Sequence, residues 1–102
     1  MNSFGLEPRH VEVIEKLVWT PLKAIGCRVW VFGSRARGDH RKFSDLDLLI
    51  EGQPPPKLLG EIREKLEESL LPIKVDLVLE DELAESYRAN VLRDRVLLGP
   101  VS

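Results

Sequence analysis

Asp45 and Asp47 stand two residues apart in the run Asp45-Leu46-Asp47-Leu48-Leu49-Ile50. On a strand, side chains at that spacing leave from one face about 7 Å apart. Leu46, Leu48 and Ile50 then take the opposite face, so this strand packs on a core and its two carboxylates emerge beside buried surface. Like charges there repel, and each loses hydration at several kcal/mol unless paired. The pattern therefore predicts a cation, either a metal ion or a basic side chain such as Arg35, Arg37, Arg41 or Lys42. Asp76 adds a third acid. It sits mid-way along the apolar stretch 73–79, on the face opposite Val75 and Leu77, where a lone carboxylate is a poor structural choice. If these two strands are neighbours, three carboxylates converge into a hard-oxygen site suited to Mg²⁺ or Mn²⁺. Two such ions about 4 Å apart serve in-line phosphoryl displacement by activating the attacking oxygen and stabilising the leaving one.

A second motif lies ahead of the acids. Gly33-Ser34 follows the apolar run 27–32 and opens Gly-Ser-Arg-Ala-Arg-Gly. Taken alone, the pair reads first as a tight turn in which Ser34 caps a short helix through Arg37, closed by Gly38. Beside the carboxylates it gains a chemical use. Gly33 lets a phosphate approach the backbone, the Ser34 hydroxyl and nearby amides donate hydrogen bonds to it, and Arg35 or Arg37 adds charge.

The elements that must position these residues follow from periodicity. Apolar residues at helical spacing (Val11, Ile14, Val18, Leu22, Ile25) predict a first helix over residues 8–25, with a kink or break near Thr20 caused by Pro21. Strands are expected at 27–32, 45–50 and 73–79. The prolines 54–56 exclude helix and ladder pairing, and an amphipathic helix follows with Leu59, Ile62, Leu66 and Leu70 on one face, stopped by Pro72. A last helix is expected at about 81–93, with Leu83, Tyr87 and Val91 repeating at four-residue steps. Val96-Leu97-Leu98 forms an apolar tail that either covers the core or docks a partner, in a dimer or a hetero-complex. Tyr87 is expected at the core edge and Trp19 and Trp30 in the core, with Cys27 as a small buried hydrophobe at a strand start. The basic loop that includes His40 is either solvated surface or an electrostatic guide for anions, and His40 is not expected to be a ligand.

Bulk properties narrow the function classes. With 102 residues, 43% hydrophobic and 31% charged, the chain is expected to form one soluble globular domain over 1–102. A net charge of −2 gives no general attraction to nucleic acid or anionic lipid. One cysteine forms no internal disulfide. No apolar window approaches a membrane span and no secretory pattern opens the chain, so the cytoplasm is the expected location.

Gly33-Ser34, ten intervening residues, Asp45-x-Asp47 and a later strand carrying Asp76 together resemble the signature of the DNA polymerase β-like nucleotidyltransferase superfamily. The short length and the Gly-Ser-Arg-Ala-Arg-Gly form are similar to the minimal nucleotidyltransferases, which include MntA-like antitoxins of HEPN/MNT toxin–antitoxin pairs. The resemblance implies an α/β (α+β) fold with a small mixed β-sheet and helices packed on it. It implies that Asp45 and Asp47 bind the metals, that Asp76 completes the site and helps to deprotonate the acceptor, and that Gly33 and Ser34 hold the β- and γ-phosphates. It further implies transfer of AMP from ATP to a tyrosine of a HEPN-type toxin. Larger relatives carry a second domain for their acceptor, so a chain this short is expected to take its acceptor from a partner protein. Two other functions fit the same residues: an antitoxin that neutralises its partner by binding alone, and an enzyme for a small hydroxylated acceptor.

Overall fold

The computed structural model of the chain describes residues 4–99; positions 1–3 and 100–102 of the expected domain lie outside the described residues. The first helical stretch runs through α1 (Pro8–Ile14), a π-helical turn (Glu15–Trp19) and α2 (Thr20–Ala24). Of the kink or break expected near Thr20, no break occurs, because Thr20 keeps right-handed helical angles of −60° and −51°. Instead the wide turn directly ahead of Pro21 accommodates the ring and the missing amide, which would disrupt a regular α-turn. The stretch buries Ile14, Val18 and Leu22.

After β1 (Arg28–Phe32) comes a single helical turn, α3 (Ser34–Arg37), and a loop into β2 (Leu46–Glu51). Helix α4 (Pro56–Glu68) then carries the chain to β3 (Val75–Leu79). The three prolines do not keep this helix away: Pro55 is extended and Pro56 opens the helix, where no backbone donor is needed. The helix also stops before Leu70. The Ser69 hydroxyl donates to the Leu66 carbonyl at 2.6 Å, and Leu70, expected on the apolar face, is 98% exposed. A 3₁₀ turn (Glu80–Glu82) and an extended Ala84 precede α5 (Glu85–Asp94), so the last helix is shorter than its expected 81–93 span at the start. The apolar tail forms β4 (Val96–Leu97).

The strands make one mixed sheet in the order β3-β2-β1-β4. β1 is antiparallel to β2 and β4, whereas β2 and β3 are parallel, as a helical crossover requires. One face, with Val29, Val31, Leu46, Leu48, Ile50 and Leu77, meets Ile14, Val18, Leu22, Leu59 and Ile62 in the main core. Cys27 joins it as expected, and so does Leu98. The tail thus serves the core through Leu98, whose amide donates to Val29 at 2.9 Å, while Leu97 stays 55% exposed. The other sheet face carries Trp30, Phe32, Asp47, Leu49, Asp76 and Val78 by strand alternation. Trp19 and Trp30 are half-buried and not fully within the core. Trp30 donates its indole N–H to Glu51 at 3.0 Å and is covered by the Arg95 guanidinium, 4.0 Å from the ring centre.

Candidate active site

The two sequence motifs meet at one end of the second sheet face. Phe32, the last residue of β1, pairs with Asp47 of β2, and Asp47 in turn pairs with Asp76 of β3. Paired residues project to the same side of a sheet, with adjacent strands about 4.8 Å apart. Asp47 and Asp76 are therefore side by side, and the turn after Phe32 stands on the other flank of Asp47. Asp45 lies in the loop one position before β2, exposed to solvent.

That turn is built on Gly33. Its φ of 74° and ψ of −155° belong to a region that only glycine enters readily. A Cβ placed there would stand 2.5 Å from Asp47 Oδ2. The missing side chain is therefore what lets the carboxylate fold over the turn. Gly33, not Ser34, is the residue that caps α3, without a side-chain cap bond, and Ser34 is the first residue inside it. The shift of one position follows from the backbone: the Gly33 carbonyl already accepts from the Ala36 and Arg37 amides at 3.1 Å. The Ser34 hydroxyl is left without a capping task.

The electrostatics of Asp47 record this crowding. Its pKa is raised above the ordinary carboxylate value, first by burial and then by repulsion from Asp76 and Asp45, with Arg37 and Lys74 opposing. Among the described residues no three acidic, imidazole or thiol groups stand together as a formed metal cluster. Asp76 turns to Lys74 instead, at 3.3 Å in an exposed pair that contributes little. The donor set still fits a hard divalent cation, because a cation beside these oxygens would offset both the burial and the repulsion that raise Asp47.

The two arginines of α3 separate in role. Arg37 is exposed at the rim and reaches Asp39 at 3.3 Å, and its charge is felt by Asp47. Arg35, expected to meet phosphate, is only 2% exposed. Its guanidinium donates to the carbonyls of Phe4 at 2.8 Å, Ser44 at 3.0 Å and Lys42 at 3.1 Å. A side chain used in that way does not reach a ligand. Arg35 is a positioning residue: it pins the loop that ends at Ser44, the residue before Asp45. Replacing Arg35 by methionine is expected to cost about 2–3 kcal/mol, the low end for bonds made by a charged group, because the loop carbonyls regain water when the loop loosens. Lysine, with one ammonium in place of a three-way fork, is expected to recover less than half of that loss. Urea unfolding of the three proteins measures both.

A cleft of about 470 Å³ opens beside Gly33 and Arg37. Phe32, Val78, Leu83, Tyr87 and Val91 form apolar walls, and Arg37, Glu82, Asn90 and Asp94 line it with polar groups. Tyr87 is thus 64% exposed in a cleft and not at the core edge. Asp94, gripped by Arg93 at 3.0 and 3.4 Å, is held below the ordinary carboxylate value by that hydrogen bond. A sequence signal for the cleft exists in the face Leu83, Tyr87, Asn90, Val91, Asp94. Polar side chains share a helical stripe with the apolar ones, which marks a half-covered face.

Residues 10–98 match the family model of the nucleotidyltransferase domain. The chain belongs to that family. Within it, this nucleotidyltransferase is 39% identical over 69 residues to the protein adenylyltransferase MntA of Thermococcus cleftensis, covering 67% of this chain and 70% of that protein. It is 38% identical over 72 residues to a Haemophilus influenzae protein assigned as a protein adenylyltransferase MntA, covering 69% of this chain and 63% of that protein, so less than two thirds of that relative's length is matched. A solved structure assigned as a minimal nucleotidyltransferase is 32% identical, with a TM-score of 0.67 over 94% of this chain and 97% of that one. A second, at 22% identity and a TM-score of 0.62 over 89% of this chain and 73% of that one, shares the fold and is a toxin–antitoxin crystal structure with AMP-PNP. The mixed sheet with packed helices expected of this nucleotidyltransferase is therefore the fold it has. Among the described residues no helix is long and apolar enough to cross a membrane.

Proposed function

We propose that this nucleotidyltransferase moves AMP from ATP to a tyrosine hydroxyl of a HEPN-type toxin and so acts as its antitoxin. The observation that carries the reading is the register Phe32–Asp47–Asp76 across three strands, with the Gly33 turn folded against Asp47. Relatives named as MntA protein adenylyltransferases support transfer to a protein, and a toxin–antitoxin neighbour with AMP-PNP supports the partner class and the donor.

In this reading Asp45, Asp47 and Asp76 hold Mg²⁺ or Mn²⁺, which when bound neutralises triphosphate charge and favours the attacking oxygen. The backbone of the Gly33 turn holds the β- and γ-phosphates, the Ser34 hydroxyl donates to them, and Arg37 supplies positive charge at the rim. The apolar cleft toward Tyr87 receives the nucleoside. The acceptor oxygen attacks the α-phosphorus, the bond between that phosphorus and the bridging oxygen to the β-phosphate breaks, pyrophosphate leaves, and the phenolic proton passes to Asp76. Incubation with Mg²⁺, a HEPN-type toxin and ATP labelled at the α-phosphate is expected to label a toxin tyrosine. A toxin that stays unlabelled with all four nucleotides, or label found only on small hydroxylated compounds, contradicts the reading.

A further inference from the structure

The geometry points to the outer edge of β3 as the docking surface for the acceptor, taken up as an extended peptide segment that adds a fifth strand beside Asp76. The inference rests on the protein-acceptor reading above and names how that acceptor is held.

Among the described residues β3 ends the sheet, with β2 on one side only. The Lys74 carbonyl accepts from the Leu46 amide of β2 at 2.9 Å. Backbone polarity alternates along a parallel strand, so Asp76 also faces its backbone groups toward β2, while those of Val75, Leu77 and Leu79 face outward. The Leu77 carbonyl fits this, because it accepts from Arg63 of α4 at 3.3 Å and not from a strand. An edge with outward amides and carbonyls is a template for an added strand.

Side-chain alternation then fixes where the acceptor lies. A residue paired with Asp76 projects to the same sheet face as Asp76 and Asp47, with Cβ atoms about 4.5–5.5 Å apart across the pair. Its hydroxyl comes to the carboxylate proposed to take its proton. The residues on either side project to the opposite face, into a groove of about 350 Å³ between β3 and α4 that includes Leu66, Leu71, Ile73 and Arg63. Lys74, two positions from Asp76, shares the acceptor's face. The surface thus fits an extended segment with tyrosine at the centre, an apolar neighbour for the groove, and acidic residues that meet Arg63 and Lys74. Asp76 pairs with Asp47 on one face while Val75 and Leu77 line the groove on the other, so one strand laid along β3 reaches both.

The test uses the full chain and two acetylated, amidated peptides, Thr-Glu-Val-Tyr-Glu-Val-Thr and its reversed order, since an edge accepts either direction. Phenylalanine analogues report docking without transfer. One order is expected to slow amide exchange at residues 75, 77 and 79 about tenfold at saturation, with either aromatic residue. With Mg²⁺ and α-labelled ATP, only the tyrosine form takes label. Val75→Pro removes an outward donor at the first residue of an edge strand, where proline is tolerated, and is expected to cut labelling at least about tenfold while calorimetric binding of ATP with Mg²⁺ persists. Should that variant fail to fold, Arg63→Glu is expected to cut labelling of the original peptide and to restore it for a peptide in which only the glutamate next to tyrosine is changed to lysine, while the glutamate facing Lys74 is kept. Labelling without protection of β3, unchanged in Val75→Pro, overturns the docking inference and leaves the transfer reading standing. Protection of β3 by the tyrosine peptide without label, while ATP binds, upholds the docking surface and sinks transfer to protein tyrosine. Neither protection nor label overturns the inference.

Discussion

Asp47→Asn is expected to lower nucleotidyl transfer by about 10³-fold or more, the scale of a lost charge contact at a phosphoryl-transfer centre, and at the same time to raise the melting temperature at neutral pH. The two effects share one cause. Asp47 lies between Asp76 and the Gly33 turn, and burial together with repulsion from Asp76 and Asp45 raises its pKa. A carboxyl whose pKa is higher folded than unfolded binds more protons in the native state between those two values. Stability therefore falls as pH rises through that window and stays lower above it. Asparagine keeps the shape and removes the charge, so the variant loses this decline. Melting curves taken on both sides of the window, with and without Mg²⁺ and ATP, check the claim. The wild type should gain stability from the ligands, by mass action on the native state, and the variant should gain little. A variant less stable than wild type at neutral pH would mean that the ionised Asp47 holds the fold together, contrary to the repulsion described here.

The direction of the acidic side chains was legible in the sequence where strand periodicity decides it. Alternation put Asp47 on the face opposite Leu46 and Leu48 and Asp76 opposite Leu77, whereas Asp45, expected on the same strand, falls in the loop just before it, and the pairing of β2 with β3, left as a condition by the sequence, comes from the structure. The roles of Arg35 and Arg37 were not legible. Both stand on one helical turn, where positions two apart point about 200° apart. One goes inside to three carbonyls and the other to the rim, and composition cannot rank them. Tyr87 was misread because a four-residue apolar repeat fits a packed stripe and a cleft wall equally well. Only the polar Asn90 and Asp94 on the same stripe separate the two. Pro21 gave the place of an irregularity but not its form: a missing donor implies a local defect, and the chain takes it up as a π turn ahead of the proline instead of a break. Side-chain periodicity does not report that backbone choice.

Gly33→Ala is the substitution whose consequence depends most on the backbone. Two costs fall on the same atom. The left-handed φ of 74° with an extended ψ strains any residue with a Cβ by about 1–3 kcal/mol, and the new methyl would stand 2.5 Å from Asp47 Oδ2. The strained turn relaxes only by peptide rotation, which moves the Ser34 and Arg35 amides and disturbs the carbonyl that holds α3. The contact relaxes only if Asp47 swings away, toward Asp76, against the repulsion already acting between them. A displacement of about 1 Å at a reacting centre costs about a hundredfold in rate, so activity should drop by at least that factor while the melting temperature also falls, about 4–8 °C for each kcal/mol in a domain of this size. Combining Gly33→Ala with Asp47→Asn tests the coupling. If the methyl acts through the carboxylate, removing the charge should return part of the lost stability, beyond the gain asparagine gives with glycine in place. Strict additivity would assign the whole cost to the backbone and deny that Gly33 is there to make room for Asp47.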